Sequence, residues 1–230
     1  MMEPRFDGRT DSPHYVVGSG PTGVAAATAL LDRGIHVTML DAGVECEPDR
    51  LAIVHQLSAR DPREWSEEDI RRLRGRPQDL RGKGARFPRK LAYGSSFAYA
   101  IDEIDAMRQV GTNCLLSFAK GGLSNVWGAA VLPNASRDMD DWPLTTADLA
   151  PHYARVATLM PIAAAADELE RMFPLYGPAA SPLRCSQLAS SLLSRMRTHR
   201  ASLEATGMLF GQSRLAVKPA PDGSAAFTFM

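Results

Sequence analysis

Cysteine is scarce in this sequence, long apolar runs are missing, and neither sign of charge prevails. The three cysteines, Cys46, Cys114 and Cys185, are odd in number, far apart and form no CxxC pair. This argues against a disulfide framework and against a structural zinc site, so no metal is expected. No stretch approaches the roughly 20 apolar residues that span a bilayer. The first residues, Met1 to Arg9, also lack the apolar core of a signal peptide. The expected setting is therefore cytoplasmic, with no membrane partner. Lys plus Arg and Asp plus Glu both total 26, a net charge of zero. That balance argues against nucleic acid as a partner bound through overall charge. Three catalytic signatures are absent as well: the GxSxG elbow, the HExxH zinc helix and the GxxxxGK[ST] phosphate loop.

What is present suits a globular chain. Hydrophobic residues make up 45% of 230, enough to bury a core. His14 to Val17 is a short apolar run that predicts a buried strand. Pro21 to Arg33 is rich in Ala and Leu and closes at Gly34, which predicts a helix with a glycine C-cap. Ile35 to Leu40 predicts a second strand, ending at Asp41. Together they make one strand–helix–strand unit.

Inside that unit lies Gly18-Ser19-Gly20-Pro21-Thr22-Gly23, a GxGxxG between a predicted strand and a predicted helix. Gly18 permits the tight turn, Gly20 lets backbone approach a pyrophosphate, and Gly23 lets the helix pack close to the sheet. The helix N-terminus then attracts the phosphates. Asp41 stands 18 residues after Gly23, where a carboxylate can accept hydrogen bonds from ribose hydroxyls and repel a 2′-phosphate. The fingerprint alone fits FAD and NAD equally.

Two further regions stand out. Asp61 to Lys90 holds ten basic and six acidic residues. It reads as a solvated insertion. A docking surface for an acidic partner is the alternative, but no interleaved aromatics support it. Ser66 to Arg74 within it could form a short exposed helix with Glu-to-Arg spacings of four. Later comes Gly121-Gly122-Leu123-Ser124-Asn125-Val126-Trp127-Gly128. Paired glycines here could expose N–H groups to a ligand, Ser124 and Asn125 add polar groups, and Trp127 offers a flat apolar surface. A structural turn is the alternative. Thr145 and Asp148 have capping-box spacing and predict a helix to about Met160. It carries an apolar stripe of Leu149, Tyr153, Val156 and Met160. Leu188, Leu192, Met196, His199 and Leu203 form a second stripe.

The first glycine motif with Asp41-Ala42-Gly43, the second glycine motif, and Asp141-Trp142-Pro143-Leu144 with Asp148-Leu149 and Pro151-His152-Tyr153 occur in an order that resembles the glucose-methanol-choline (GMC) family of FAD-dependent oxidoreductases. The resemblance implies an α/β fold, with a Rossmann-like FAD-binding region built on a mostly parallel sheet and a helical C-terminal part. It implies FAD as cofactor, held by Gly18, Gly20, Gly23 and Asp41 at the adenosine end and by Gly121, Gly122, Ser124, Asn125 and Trp127 toward the flavin. It implies oxidation of the CH–OH group of a small-molecule alcohol by hydride transfer to the flavin, with a histidine base. Residues 14–160 would form the FAD-binding region with its charged insertion at about 61–90. Residues 161–230 would be a partial helical segment leading toward a substrate domain. No histidine among His14, His36, His55, His152 and His199 sits in a motif that makes it the base. The expectation is thus an N-terminal portion that turns over no alcohol alone. An NAD-binding dehydrogenase and a non-catalytic nucleotide-binding module are the alternatives. The substrate, electron acceptor and oligomeric state are not legible.

Overall fold

The computed structural model describes residues 13–61, 64–75, 90–99, 110–111, 115–178, 181–219 and 226–227. These are mixed α and β, with six α-helices, a two-stranded parallel sheet and a two-stranded antiparallel pair. They fall into two compact units, one within Met1–Trp127 and one within Gly128–Phe229. Most of the charged stretch after Gly75, and Cys114, lie outside the described residues.

In the first unit, β1 (His14–Val17) pairs in parallel with β2 (Val37–Leu40), in the register His14↔Val37 to Val17↔Leu40. Parallel neighbours need a crossover, and α1 (Pro21–Leu31) supplies it. Pro21 starts the helix where a missing N–H costs nothing. Gly34 ends it at φ 73°, with Ile35 N–H donating to the Leu30 carbonyl and Gly34 N–H to that of Leu31. This is the Schellman pattern that the terminal glycine predicts. It holds Ile35 in the turn, so β2 begins two residues later than expected. Burial alternates along both strands: His14, Val16, Val37 and Met39 are half-buried, while Tyr15, Val17, Thr38 and Leu40 are exposed.

Helix α2 (Pro48–Ser58) and α3 (Glu67–Arg74) pack next to each other. Leu57, near the end of α2, is buried, and its carbonyl accepts the Trp65 indole N–H at 3.2 Å. Ser66 and Asp69 form a full capping box at the start of α3. The expected Glu-to-Arg spacing of four gives way to a spacing of three, because Arg71 pairs with Glu68. Asp69 is drawn instead to Arg60 at 3.2 Å.

The second unit contains α4 (Thr146–Leu159), α5 (Gln187–Thr198), α6 (Arg200–Ala205) and the antiparallel pair β3 (Lys218–Pro219) and β4 (Ala226–Phe227). The Thr145–Asp148 capping box opens α4 as predicted. Leu215 bridges to both Ala130 and Ala163 and joins three segments of the unit. Beside it Arg214 is buried, 2% exposed, yet its guanidinium is held by the Phe173 carbonyl at 2.6 Å and the Glu170 carboxylate at 3.0 Å. The second apolar stripe does not form one helix, because the chain breaks at His199 between α5 and α6. Leu188 and Leu192 on it are exposed.

Candidate functional site

The glycine motif after β1 takes the form its spacing predicts. Gly18 sits at φ 88°, a left-handed turn that favours glycine, and its N–H donates to the Leu40 carbonyl at 2.7 Å. A Cβ on Gly23 would lie 1.9 Å from the Gly18 carbonyl oxygen, so only hydrogen fits where α1 crosses the turn. Gly20 differs from both. It is the N-cap of α1 at φ −65°, and a Cβ there would find nothing nearer than 3.8 Å within the protein. Space beside Gly20 is therefore open on the protein side. The N–H groups of Thr22 and Gly23 lie in the first turn, where no intrahelical partner exists. No side chain caps this end and no acidic residue stands in the first turn. The positive end of the helix is left for an anion.

Asp41 ends β2 and turns its carboxylate onto this loop. Oδ2 accepts the Ser19 N–H at 2.6 Å and Oδ1 accepts the Gly43 N–H at 2.7 Å. The Ser19 hydroxyl, followed by the N–H groups of Ser19 and Gly43, holds the carboxyl below its usual range. Asp41 is exposed, so the oxygens keep open sides for a further donor.

The second glycine motif meets the first. Val44 N–H donates to the Phe118 carbonyl and Lys120 N–H to the Val44 carbonyl, both at 2.9 Å, which forms a parallel bridge of Val44 with Ala119. An exposed ion pair of Lys120 with Glu45 at 3.3 Å runs alongside. Gly121 then donates its N–H to the Ser19 hydroxyl at 2.8 Å. A Cβ on Gly122 would lie 3.5 Å from the Gly20 Cα. Gly18, Gly20, Gly23, Asp41, Gly121 and Gly122 thus gather in one place, although 102 residues separate Ser19 from Gly121.

The polar groups of the second motif turn inward. Gly121 (φ 82°) and Gly122 (φ 62°) fold the chain back, and the Gly122 N–H is taken by the Ala119 carbonyl at 2.7 Å. The expectation that these two glycines expose N–H groups to a ligand thus meets a different use of both. Ser124 donates to the Gly121 carbonyl at 2.6 Å, and the Asn125 amide donates to the carbonyls of Lys120 and Gly122 at 3.0 and 2.7 Å. Both side chains tie the loop into a 3-10 turn over Gly122–Asn125. Trp127 is half-buried, and its carbonyl accepts a hydrogen bond from the Lys90 ammonium at 2.5 Å.

His36, His55, His152 and His199 are exposed and His14 is half-buried in β1. Among the described residues, no group of three or more His, Cys, Asp or Glu is placed to hold a metal, and no helix is long and apolar enough to cross a membrane. The second unit has its own cavity of about 380 Å³, which includes Tyr153, Val156, Met160, Ile162, Tyr176 and Arg214 in its wall. Tyr153 and Tyr176 stack there at 5.1 Å. The α4 stripe signalled this apolar wall, whereas the position of Arg214 carried no sequence signal. No family model matches the chain, and no curated protein or solved structure matches it significantly.

Proposed function

We propose that the chain is the nucleotide-binding part of an FAD-dependent oxidoreductase of the GMC type, acting on a CH–OH donor. The observation that carries this reading is the meeting of the two glycine loops beside the uncapped start of α1, with Asp41 at the same place. In this reading β1, α1 and β2 belong to a Rossmann-like region with a mostly parallel sheet. The open space at Gly20, a cradle that a Cβ would fill, suits a pyrophosphate, and the N–H groups of Thr22 and Gly23 would hold it. Asp41 would accept a ribose hydroxyl on the side of its carboxylate not used by Ser19 and Gly43. The loop from Gly121 to Trp127 would bound the cofactor on its other side. When bound, FAD supplies the hydride acceptor. The chain's own part is to bind and orient it, and no histidine here is assigned the role of base.

The test is reconstitution. Purified chain is mixed with FAD, passed through a desalting column and scanned for flavin absorbance at about 450 nm. Retained flavin supports the reading. Tight binding of NAD with no retained flavin would favour a nicotinamide-dependent enzyme. Retention of neither would remove the nucleotide site.

A further inference from the structure

Ser19 fills a position of the first glycine motif at which the motif itself demands no particular residue. Three parts of the first unit nonetheless meet on it. Its N–H donates to Asp41 Oδ2 at 2.6 Å. Its hydroxyl oxygen accepts the Gly121 N–H at 2.8 Å. Asp41 in turn is fixed from the other side by the Gly43 N–H at 2.7 Å. The result is a short chain of bonds from the acid after β2 to the N–H of Ser19, and from the Ser19 hydroxyl to the backbone of the second glycine loop.

We propose that Ser19 is a positioning residue of the nucleotide site, fastening the Gly121–Trp127 loop to the acid that ends β2. This rests on the nucleotide-binding reading above. The Val44–Ala119 bridge brings the second loop into the neighbourhood, but its last bond is at Lys120 N–H. From Gly121 onward the loop turns on left-handed glycines, whose backbone is conformationally free. The Ser19 hydroxyl is what holds the first of them against Gly20. A side chain without a hydroxyl at position 19 would leave Asp41 its two N–H partners and release Gly121.

Amide exchange of the full chain, first without nucleotide, tests this. In Ser19→Ala the Gly121 amide should exchange about fivefold faster, the loss expected for one net hydrogen bond. Ser19→Thr, which restores the hydroxyl, should return it to the wild-type rate. The Lys120 amide, bonded to Val44, should stay unchanged in both and reports that the bridge is intact. FAD titration of the same proteins should show weaker binding in Ser19→Ala and recovery in Ser19→Thr. An unchanged Gly121 rate in Ser19→Ala overturns the clasp. A faster Gly121 rate with unchanged FAD affinity overturns the positioning role while the nucleotide reading stands. Faster Gly121 exchange in a chain whose wild type binds no FAD overturns the nucleotide reading, and the positioning role with it.

Discussion

Gly20 and Gly23 belong to one motif but answer to different partners, and two alanine variants separate them. At Gly20 the backbone is at φ −65°, which any residue adopts, and the nearest protein atom to a new Cβ is the Gly121 carbonyl oxygen at 3.8 Å. Nothing inside the protein resists the methyl group. Alanine is a poorer N-cap than glycine by less than about 1 kcal/mol. Reduced freedom of the unfolded chain offsets this by about 0.4–1 kcal/mol. Gly20→Ala should therefore melt within a few degrees of wild type. A bound pyrophosphate would change the situation, because the methyl would then occupy the space proposed for it. Overpacking costs about 1–3 kcal/mol, which corresponds to FAD binding weakened about fivefold to a hundredfold.

Gly23→Ala should do the reverse. Its Cβ would lie 1.9 Å from the Gly18 carbonyl oxygen, where real contacts stay above 3.0 Å, and the obstacle is backbone. Helix α1 would have to withdraw from the turn. That costs about 1–3 kcal/mol or more, and each kcal/mol lowers Tm by about 2–4 °C in a protein of this size. Thermal melting and FAD fluorescence titration on the two variants form the assay. Gly20→Ala with undiminished FAD affinity would remove the first loop from the site. A Gly23→Ala protein that melts like wild type would refute the packing argument.

Three further outcomes are expected. Asp41→Asn should weaken FAD binding and lower Tm, because an amide can accept at one atom only and sets its own N–H groups against that of Ser19 or Gly43; equal affinity in a titration would contradict this. Acid should act in the same direction. The Asp41 carboxyl titrates from a value lowered below its ordinary 3.8, so its contribution is complete above about pH 4 and is lost as pH falls through the lowered folded value. A pH series of melting curves on wild type and Asp41→Asn should converge in that window. Arg214→Ala should destabilise the second unit by about 1–3 kcal/mol, since it removes the buried guanidinium and leaves the Phe173 carbonyl without that donor, and Arg214→Met, which keeps more of the packing, should cost less in a denaturant titration.

Legibility followed distance along the chain. The capping box of Thr145 with Asp148 spans three residues, and the structure carries it. Gly34 likewise marks its own turn, because a left-handed residue and the two bonds around it involve only neighbours. The α5 stripe shows where such reasoning stops. Leu188 and Leu192 have helical spacing and are helical, yet they stand exposed, and His199 interrupts the continuation. Periodicity reports the helix and says nothing about what covers it. Arg214 was invisible for the same reason: its partners Phe173 and Glu170 are more than 40 residues away.

Asp41 shows how much of a residue's work a local reading leaves out. Its place after the second strand marks it as an acceptor for a sugar hydroxyl, and spacing cannot show more. In the fold both oxygens already accept backbone N–H groups, from Ser19 and Gly43. A carboxylate has about four acceptor sites, so these bonds leave room for a hydroxyl while they fix the direction from which it can approach. An acid with no protein partner would present its charge to any donor and would itself be mobile. This one is anchored to the turn it serves and, through Ser19, to a loop 102 residues away. The same anion that would recognise the ribose thus also holds the two glycine loops in register. That is why a change at position 41 or 19 should alter the shape of the site as well as its charge.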